Sequence, residues 1–212
     1  MIYYLLRIKN TYYNSMDVEI KNVTDLFSMV SSEQFLNMEA LGGEIPFWIY
    51  PYDAQEEATV ELEIKGLVQE LKNYNIAVLC IDLFQLSIAI IEENVGLESV
   101  IKREEHVKDP DKQKLKRALQ SVLNIHNRFI PKIRELVDAG EYQILFIKGV
   151  GAVYPFIRSH TLLNNLQSAV KEMPTLLFFP GEYTGQALNI FSKLKDDNYY
   201  RAFNILEYKL NP

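Results

Sequence analysis

Apolar runs of strand length recur along the chain, and each ends in charged or turn-forming residues. The runs predict strands at residues 46–51, 76–82, 142–148 and 174–180. The last three lack a polar–apolar alternation, which is typical of strands covered on both faces. The pattern therefore predicts a mostly parallel central sheet.

The segments between these runs place apolar residues three and four positions apart, as amphipathic helices do. In residues 54–73 the stripe that we expect to be buried comprises Ala58, Leu62, Ile64, Leu67, Val68 and Leu71. The longest pattern runs from Asp111 to Ala139 and contains Pro131, which lacks an amide N–H. We expect a long helix that is kinked near Pro131, or a second helix that starts there. Alternating strands and helices predict a single α/β domain with helices on both faces of the sheet.

Two ends and one internal segment do not follow this alternation. Residues 1–15 precede Met16, where an amphipathic pattern begins, and they fit either an N-terminal extension or a short strand. We assign the domain to residues 16–212. Residues 92–109 are interpreted as a loop or a helical arm, and residues 199–206 predict a last strand on the sheet.

Length and composition fit one globular domain rather than a membrane or disordered chain. The 212 residues are 48% hydrophobic, but no run approaches the ~20 apolar residues of a membrane-spanning helix. The net charge of −6 argues against a general nucleic-acid binder, because phosphate neutralisation requires clustered Lys and Arg. Cys80 is the single cysteine, so no internal disulfide forms, and the apolar start is too short for a signal peptide. We expect a cytoplasmic protein with no membrane partner.

Ligands of open α/β sheets bind beyond the carboxyl ends of the strands, so residues predicted there are candidates for a partner or ligand surface. They are Asp53, Asp82, Gly149, Gly151, Arg158, Gly181, Glu182 and Tyr183.

The glycines and the aspartate do not complete a known nucleotide motif. Gly149 and Gly151 follow a predicted strand, but position 154 is Tyr, and no Gly-x-x-x-x-Gly-Lys loop exists. A tight turn explains these glycines with less assumption. Asp82 resembles the metal-binding aspartate of nucleotide hydrolases, but a helix N-cap is favoured because that phosphate loop is missing.

Other catalytic or cofactor chemistry is unsupported by the sequence. The three histidines lie in separate segments without ligand spacing, and no Gly-x-Ser-x-Gly occurs. We therefore expect no metal and no cofactor. Carboxylate pairs occur only in charged runs typical of helix surfaces.

Arg158 and Glu182 leave two interpretations open. Arg158 lies near a predicted helix start, where it either holds an anion or a partner's carboxylate or forms a salt bridge to Glu182 or Asp82. The Pro180-Gly181 turn is expected to bring Glu182 and Tyr183 close to the Gly149 turn. A structural lock between Arg158 and Glu182 and a shared partner surface both fit this placement.

Two stretches together resemble the BrxB family, the small component of BREX (bacteriophage exclusion) systems. The first is LFIKGVGAVYPFIRSHTLLNNL, at residues 145–166. The second is LLFFPGEY at residues 176–183, followed by KLKDDNYYRAF at residues 193–203. The resemblance reaches back through LNMEALGGEIPF, at residues 36–47, and covers about residues 16 to 208. Residues 1–15 have no counterpart in it.

The resemblance implies a cytoplasmic anti-phage defence protein. In such systems a methyltransferase marks host DNA, while ATPase and phosphatase-like components act in excluding phage. Members resemble non-enzymatic connectors that bind the phosphatase-superfamily component PglZ and link it to the ATPase BrxC. No catalytic residues carry over from the family. A degenerate nucleotide or small-molecule sensor, with a site around Asp53, Asp82, Gly149 and Arg158, is the alternative.

Overall fold

A mixed sheet forms the centre of the molecule in the computed structural model, which describes residues 22–39, 47–105, 112–185, 187–195 and 202–207. Its strands are β1 (Phe47–Tyr52), β2 (Val78–Asp82), β3 (Ile144–Lys148), β4 (Thr175–Tyr183), β5 (Leu188–Ile190), β6 (Leu194–Lys195) and β7 (Phe203–Asn204). The order β2-β3-β4-β1-β7 is parallel throughout. The end of β4 pairs antiparallel with β5, which pairs antiparallel with β6.

Helices connect the parallel strands. They are α1 (Phe27–Val30), α2 (Glu33–Leu36), α3 (Glu57–Asn73), α4 (Leu83–Val95), α5 (Leu97–Glu105), α6 (Lys112–Val122), α7 (Ile130–Asp138), α8 (Val150–Val153) and α9 (Ser159–Ala169). Short 3₁₀ turns lie at Val23–Leu26, Ala54–Glu56 and Ile205–Glu207, and a π-helical turn spans Ile125–Phe129. Within the described ranges, no helix has the length and apolarity needed to cross a membrane.

The pleat of each strand divides its side chains between two cores. In β1, Phe47 and Ile49 face one core, whereas Trp48, Tyr50 and Tyr52 face the other. Helices α4, α7 and α9 cover the first face, and α3 with the turns that precede β1 covers the second. Because both faces are covered, the strands are nearly continuous apolar runs. The predicted α/β architecture with a mostly parallel sheet is confirmed.

The buried stripe of α3 differs from the predicted one at Ala58 and Leu62, which are exposed (Leu62 by 69%), and at Val60, which is buried but was not predicted to be. The residues that α3 buries are Val60, Ile64, Leu67 and Leu71. These positions follow the steps of four, three and four that keep side chains on one face. Leu62 lies two residues from Val60, so it points well away from that face.

The long helical segment before β3 is interrupted, but the break begins before Pro131. Helix α6 ends at Val122, and Asn124 caps the π-helical turn by accepting a 3.0 Å hydrogen bond from the amide of Asn127. Pro131 lies in the first turn of α7. The amide of Ile130 still bonds back to Ile125 in the π-helical turn, and Pro131, which has no N–H, lies where that turn passes into α-helix. Pro131 therefore belongs to the start of a second helix, which is one of the two predicted outcomes.

Three further expectations concern the less regular segments. Residues 92–105 are helical, with Gly96 at φ 74° between α4 and α5, while 106–109 lie outside the described residues. The predicted last strand is present as β7, which pairs with β1, and residues 199–201 are likewise outside the described part. Residues 1–15 are also outside it.

A change of pairing occurs within β4 at Pro180 and Gly181. Pro180 is the last residue in parallel register with β1, opposite Tyr52, and Gly181 is the first opposite Ile190 of β5. The carbonyl of Pro180 accepts a 2.8 Å hydrogen bond from the amide of Phe191. Gly181 has φ +152°, and a Cβ there would overlap the carbonyl oxygen of Asn189. Glycine is therefore required where the hairpin crosses closely over β4.

We expect Gly181→Ala to lower the free energy of unfolding by about 3 kcal/mol or more, because the new Cβ collides with backbone that cannot move independently. The measurement is denaturant unfolding followed by circular dichroism. Gly66→Ala is the matched control, since a Cβ there meets nothing within 4 Å in the interior of α3. The free energy of unfolding of the Gly66→Ala control should rise by about 0.5–1 kcal/mol. Equal stability of Gly181→Ala and wild type would contradict the close approach.

Candidate functional site

A charged cluster lies at the carboxyl ends of β2 and β3. The amine of Lys148, at the end of β3, donates hydrogen bonds to a carboxylate oxygen of Asp82, at 3.0 Å, and to Glu61. The Lys148 side chain is only 13% exposed. Glu61 belongs to α3 on one face of the sheet, and Asp82 directly precedes α4 on the other. The Glu61–Lys148–Asp82 cluster therefore joins the two helical layers around the sheet.

Strand register explains why Lys148 meets Asp82. The two residues are direct partners in the parallel pairing of β2 with β3, so their side chains leave the sheet side by side. Asp82 also caps α4, since its Oδ1 accepts hydrogen bonds from the amides of Phe84 (2.9 Å) and Gln85 (3.2 Å). The predicted N-cap is confirmed, and the carboxylate uses its other oxygen for Lys148.

The contacts within the cluster shift the pKa values of Lys148 and Asp82. Partial burial alone would lower the pKa of Lys148, but the hydrogen bonds to Glu61 and Asp82 outweigh burial and raise it. Burial likewise works to raise the pKa of Asp82, and the Lys148 and backbone hydrogen bonds lower it overall. The pair is therefore held in its ionised form.

Nearby side chains on the second face are kept neutral. Burial raises the pKa of the Cys80 thiol to about 11, despite the opposing effect of Lys148. Burial, with the charge of Glu63 next in size, raises the pKa of Tyr50 to about 12. The pKa of Tyr52 is also raised, by burial first and then by the 2.6 Å hydrogen bond that its hydroxyl donates to Glu57. Cys80 is consequently a poor nucleophile at neutral pH.

Both glycines of the turn after β3 have steric reasons to be glycine. Gly149 has φ +78°, and a Cβ there would lie 3.0 Å from Oδ1 of Asp82. A Cβ on Gly151 would lie 3.0 Å from the ring of Phe191 and 3.1 Å from Pro180. The hairpin formed by β5 and β6 therefore rests directly on this turn, and the interpretation as a tight turn agrees with the contacts.

The remaining candidate residues are placed separately. Asp53 is exposed and caps the Ala54–Glu56 turn through the amide of Gln55. Tyr183 is 5% exposed, and its hydroxyl donates a 2.7 Å hydrogen bond to the carbonyl of Ala202. Arg158, at the N-cap position of α9, and Glu182, on β4, are both exposed.

Among the described ion pairs, none joins Arg158 to Glu182 or to Asp82. Of the predicted site residues, the structure places Asp82 next to Gly149, and it places Gly151 against Pro180, the residue before Gly181. The arginine–glutamate lock is not formed.

Sequence reasoning missed Glu61 and Lys148. A signal for Lys148 was present, because charged residues end two consecutive buried runs, and parallel strands place such residues at one edge. Glu61 carried no comparable signal, since it is one of several carboxylates in the first turns of α3. Its pairing depends on how α3 crosses β3.

Every member of the cluster has its partner inside the cluster or in the neighbouring backbone. The arrangement is therefore that of an electrostatic cross-link rather than of a nucleophile with its base. In the ranges that the structure describes, no group of three or more His, Cys, Asp or Glu could hold a metal ion.

We expect Lys148→Met to lower the free energy of unfolding by about 2–4 kcal/mol, because it leaves the partly buried carboxylates of Glu61 and Asp82 without their shared cation. Denaturant unfolding at pH 7 measures this loss. Lys102→Met is the control, since Lys102 forms an exposed i,i+4 pair with Glu98 and should cost only a few tenths of a kcal/mol. Similar losses in both variants would show that the cluster contributes no more than a surface pair.

The directions of the pKa shifts predict how the difference in free energy of unfolding between wild type and Lys148→Met depends on pH. The raised pKa of Lys148 gives stability that is present below its unfolded value of 10.5 and lost as pH rises through the folded pKa. The lowered pKa of Asp82 gives stability that is present above 3.8 and lost as pH falls through the folded pKa. The difference in free energy of unfolding between wild type and Lys148→Met should thus be largest near neutral pH and smaller at both low and high pH. A gap that is constant from pH 3 to pH 11 would argue against the ionised cluster.

Comparison with known proteins gives one consistent family. The family model described as BREX protein BrxB matches residues 79–205. A protein named BREX protein BrxB from Bacillus cereus (strain H3081.97) is 34% identical over 189 residues, which cover 88% of this chain and 97% of the relative. A second with the same name, from Escherichia coli O9:H4 (strain HS), is 31% identical over 185 residues, covering 87% and 90%. No solved structure matches the chain. With more than half of its length matched by the family model, the chain belongs to the BrxB family, a component of BREX anti-phage defence systems.

Proposed function

We propose that this protein is a non-enzymatic connector within a BREX-like system, which binds the PglZ phosphatase-like component and links it to the BrxC ATPase. One observation carries the proposal. At the carboxyl ends of β2 and β3 the charged side chains are bound to each other, while two large apolar side chains beside them are exposed. Leu62 follows Glu61 and is 69% exposed, and Phe84 lies two residues after Asp82 and is 44% exposed.

Exposed apolar side chains on rigid helices are suited to protein contact. Burying a Leu or Phe side chain in an interface contributes roughly 1.5–3 kcal/mol. Leu62 and Phe84 lie on helices α3 and α4, which the Glu61–Lys148–Asp82 cluster fixes relative to each other. We call Leu62 and Phe84, with the cluster between them, the strand-end surface. Because these helices are held in place, binding does not require their ordering, which lowers the entropic cost of association.

The test is co-purification of the tagged protein with the co-expressed PglZ-like component. Leu62→Glu with Phe84→Glu should abolish co-purification, because two carboxylates would have to be desolvated in the interface. The unfolding midpoint should stay close to that of wild type, since both side chains are exposed. Ile101→Glu is the matched control, as Ile101 is 47% exposed on α5 and outside the strand-end surface. Retained binding by the double variant would place the interface elsewhere.

A second test addresses the absence of catalysis. Asp53→Asn and Asp82→Asn should both retain phage protection in cells, because asparagine still caps both segments and Lys148 keeps Glu61 as a partner when its bond to residue 82 is lost. Plaque counts on cells that express each variant at wild-type level measure this. Loss of protection with a folded Asp82→Asn or Asp53→Asn protein would instead favour an enzymatic or ligand-sensing site.

A further inference from the structure

Strand β2 forms one edge of the sheet, since its one partner among the described strands is β3. Residues Ile144–Ile147 of β3 are all buried. In β2, by contrast, Val78, Leu79 and Cys80 are only half-buried. The side of β2 that faces away from β3 is therefore an open edge lined by apolar side chains.

The hydrogen bonds at the start of β2 show which of its backbone groups point to this open edge. The carbonyl of Ala77 accepts hydrogen bonds from the amides of Gln143 and Ile144, so Ala77 directs its backbone groups toward β3. Backbone groups alternate in direction along a strand, so those of Val78 and Cys80 point to the open edge. Among the described residues, no hydrogen bond involves these outward groups.

Strand β2 also lacks the features by which edge strands commonly avoid pairing with another chain. Such edges are short, or are interrupted by proline, lysine or a bulge. The stretch from Val78 to Ile81 contains neither residue type, and its register with β3 is continuous. At the other end of the strand order, β7 spans only Phe203–Asn204 and offers little backbone for pairing. The open edge of β2 is thus suited to the addition of a further strand.

We propose that β2 pairs with β2 of a second copy of this chain, antiparallel about a two-fold axis at Cys80, so that the two sheets become one. This inference goes beyond the connector function and does not depend on it. A two-fold axis requires that the same residues meet from both sides, which only antiparallel pairing allows. With Cys80 on the axis, the two Cys80 residues exchange hydrogen bonds in both directions. The amide of Asp82 then donates to the carbonyl of Val78 in the other copy.

The charges at the two ends of β2 favour a second copy over an unrelated strand. Antiparallel pairing sets the amino end of β2 in one copy beside the carboxyl end in the other. Lys72 lies near the amino end, because the amide of Ile76 donates a 3.0 Å hydrogen bond to the carbonyl of Leu71. Lys72 is exposed, and none of the described ion pairs involves it. The carboxyl end carries the Glu61–Lys148–Asp82 cluster, whose two carboxylates and one amine leave it negative.

Sedimentation velocity of the purified protein over a series of concentrations tests the pairing. Wild type and the matched control Cys80→Ala should both form a dimer, because both keep the amide of residue 80. Cys80→Pro lacks that amide, so each copy loses a backbone hydrogen bond, and the dissociation constant of the dimer should rise about tenfold or more. Cys80→Pro should keep the circular dichroism spectrum of wild type, since an edge strand tolerates proline where the N–H points outward.

Oxidation of the single cysteine tests the register in the wild-type protein. Directly opposed residues of a hydrogen-bonded antiparallel pair have Cα atoms about 5.5 Å apart, which is within the range for a disulfide. Copper phenanthroline should therefore link two chains through Cys80, and the yield should follow the dimer fraction measured by sedimentation. Because burial raises the pKa of the Cys80 thiol to about 11, the oxidation is carried out at alkaline pH.

The results separate the occupants of the edge. A dimer that Cys80→Pro weakens and that oxidation links through Cys80 supports the proposal. A wild type that is monomeric at every concentration overturns it, as does a dimer that Cys80→Pro leaves unchanged or that oxidation does not link. If Cys80→Pro fails to fold, oxidation of the wild-type dimer decides alone. A monomeric wild type whose co-purification with the PglZ-like component is abolished by Cys80→Pro would assign the edge to a strand of that partner, which also overturns the second copy.

Discussion

Strand β4 is the element on which the other packing depends. It pairs with β3 and β1 along its first part and with β5 along its last, and eight of its nine residues are buried. In β4 the pairing changes from parallel to antiparallel between Pro180 and Gly181, and the backbone conformation has to change at the same point. Pro180 provides an end to the parallel ladder because it lacks an N–H, and Gly181 allows the hairpin to cross without a Cβ. The hairpin in turn rests on Gly151, so the turn after β3 is fixed by the same crossing.

The charged cluster has a related role at the carboxyl ends of β2 and β3. In many α/β proteins this region holds a ligand, because helix N-termini and strand ends leave polar groups open there. Here Asp82 both caps α4 and binds Lys148, and Lys148 also binds Glu61 of α3. The groups that elsewhere contact a ligand thus connect helices on opposite faces of the sheet. The exposed side chains that neighbour them in sequence, Leu62 and Phe84, are apolar, and this favours a protein partner over a small polar one.

The strands were predictable from the sequence because burial on both faces leaves a run of apolar residues of strand length that ends in charged or turn-forming residues. The cap at Asp82 was predictable for a similarly local reason, because the amides that need an acceptor belong to Phe84 and Gln85, two and three residues further along the chain. Burial of Leu62 was predicted wrongly, because the sequence pattern does not distinguish an apolar side chain that packs in the core from one that is exposed beside the buried stripe. The interruption near Pro131 was predictable because proline has no N–H to donate, whereas the additional break at residues 123 and 124, where Asn124 caps the π-helical turn, was not. The contact of Lys148 with Asp82 could have been inferred from the charged ends of two parallel strands, whereas that with Glu61 depends on how α3 crosses the sheet, which no local pattern encodes.

Whole-chain charge was the least informative of the sequence properties, and the fold explains why. A net charge of −6 averages over the five carboxylates of residues 53–63 and the four Lys and Arg residues of α6, although these two regions pack on opposite faces of the sheet. Opposite charges on one face would neutralise each other in exposed pairs of little energetic effect, as Lys102 and Glu98 do. Charges separated by a sheet instead produce two distinct local fields, and each remains available to steer an approaching partner. The net charge of the whole chain therefore does not describe the charge around any one helix of this fold, which depends on how the sheet divides the helices between its faces.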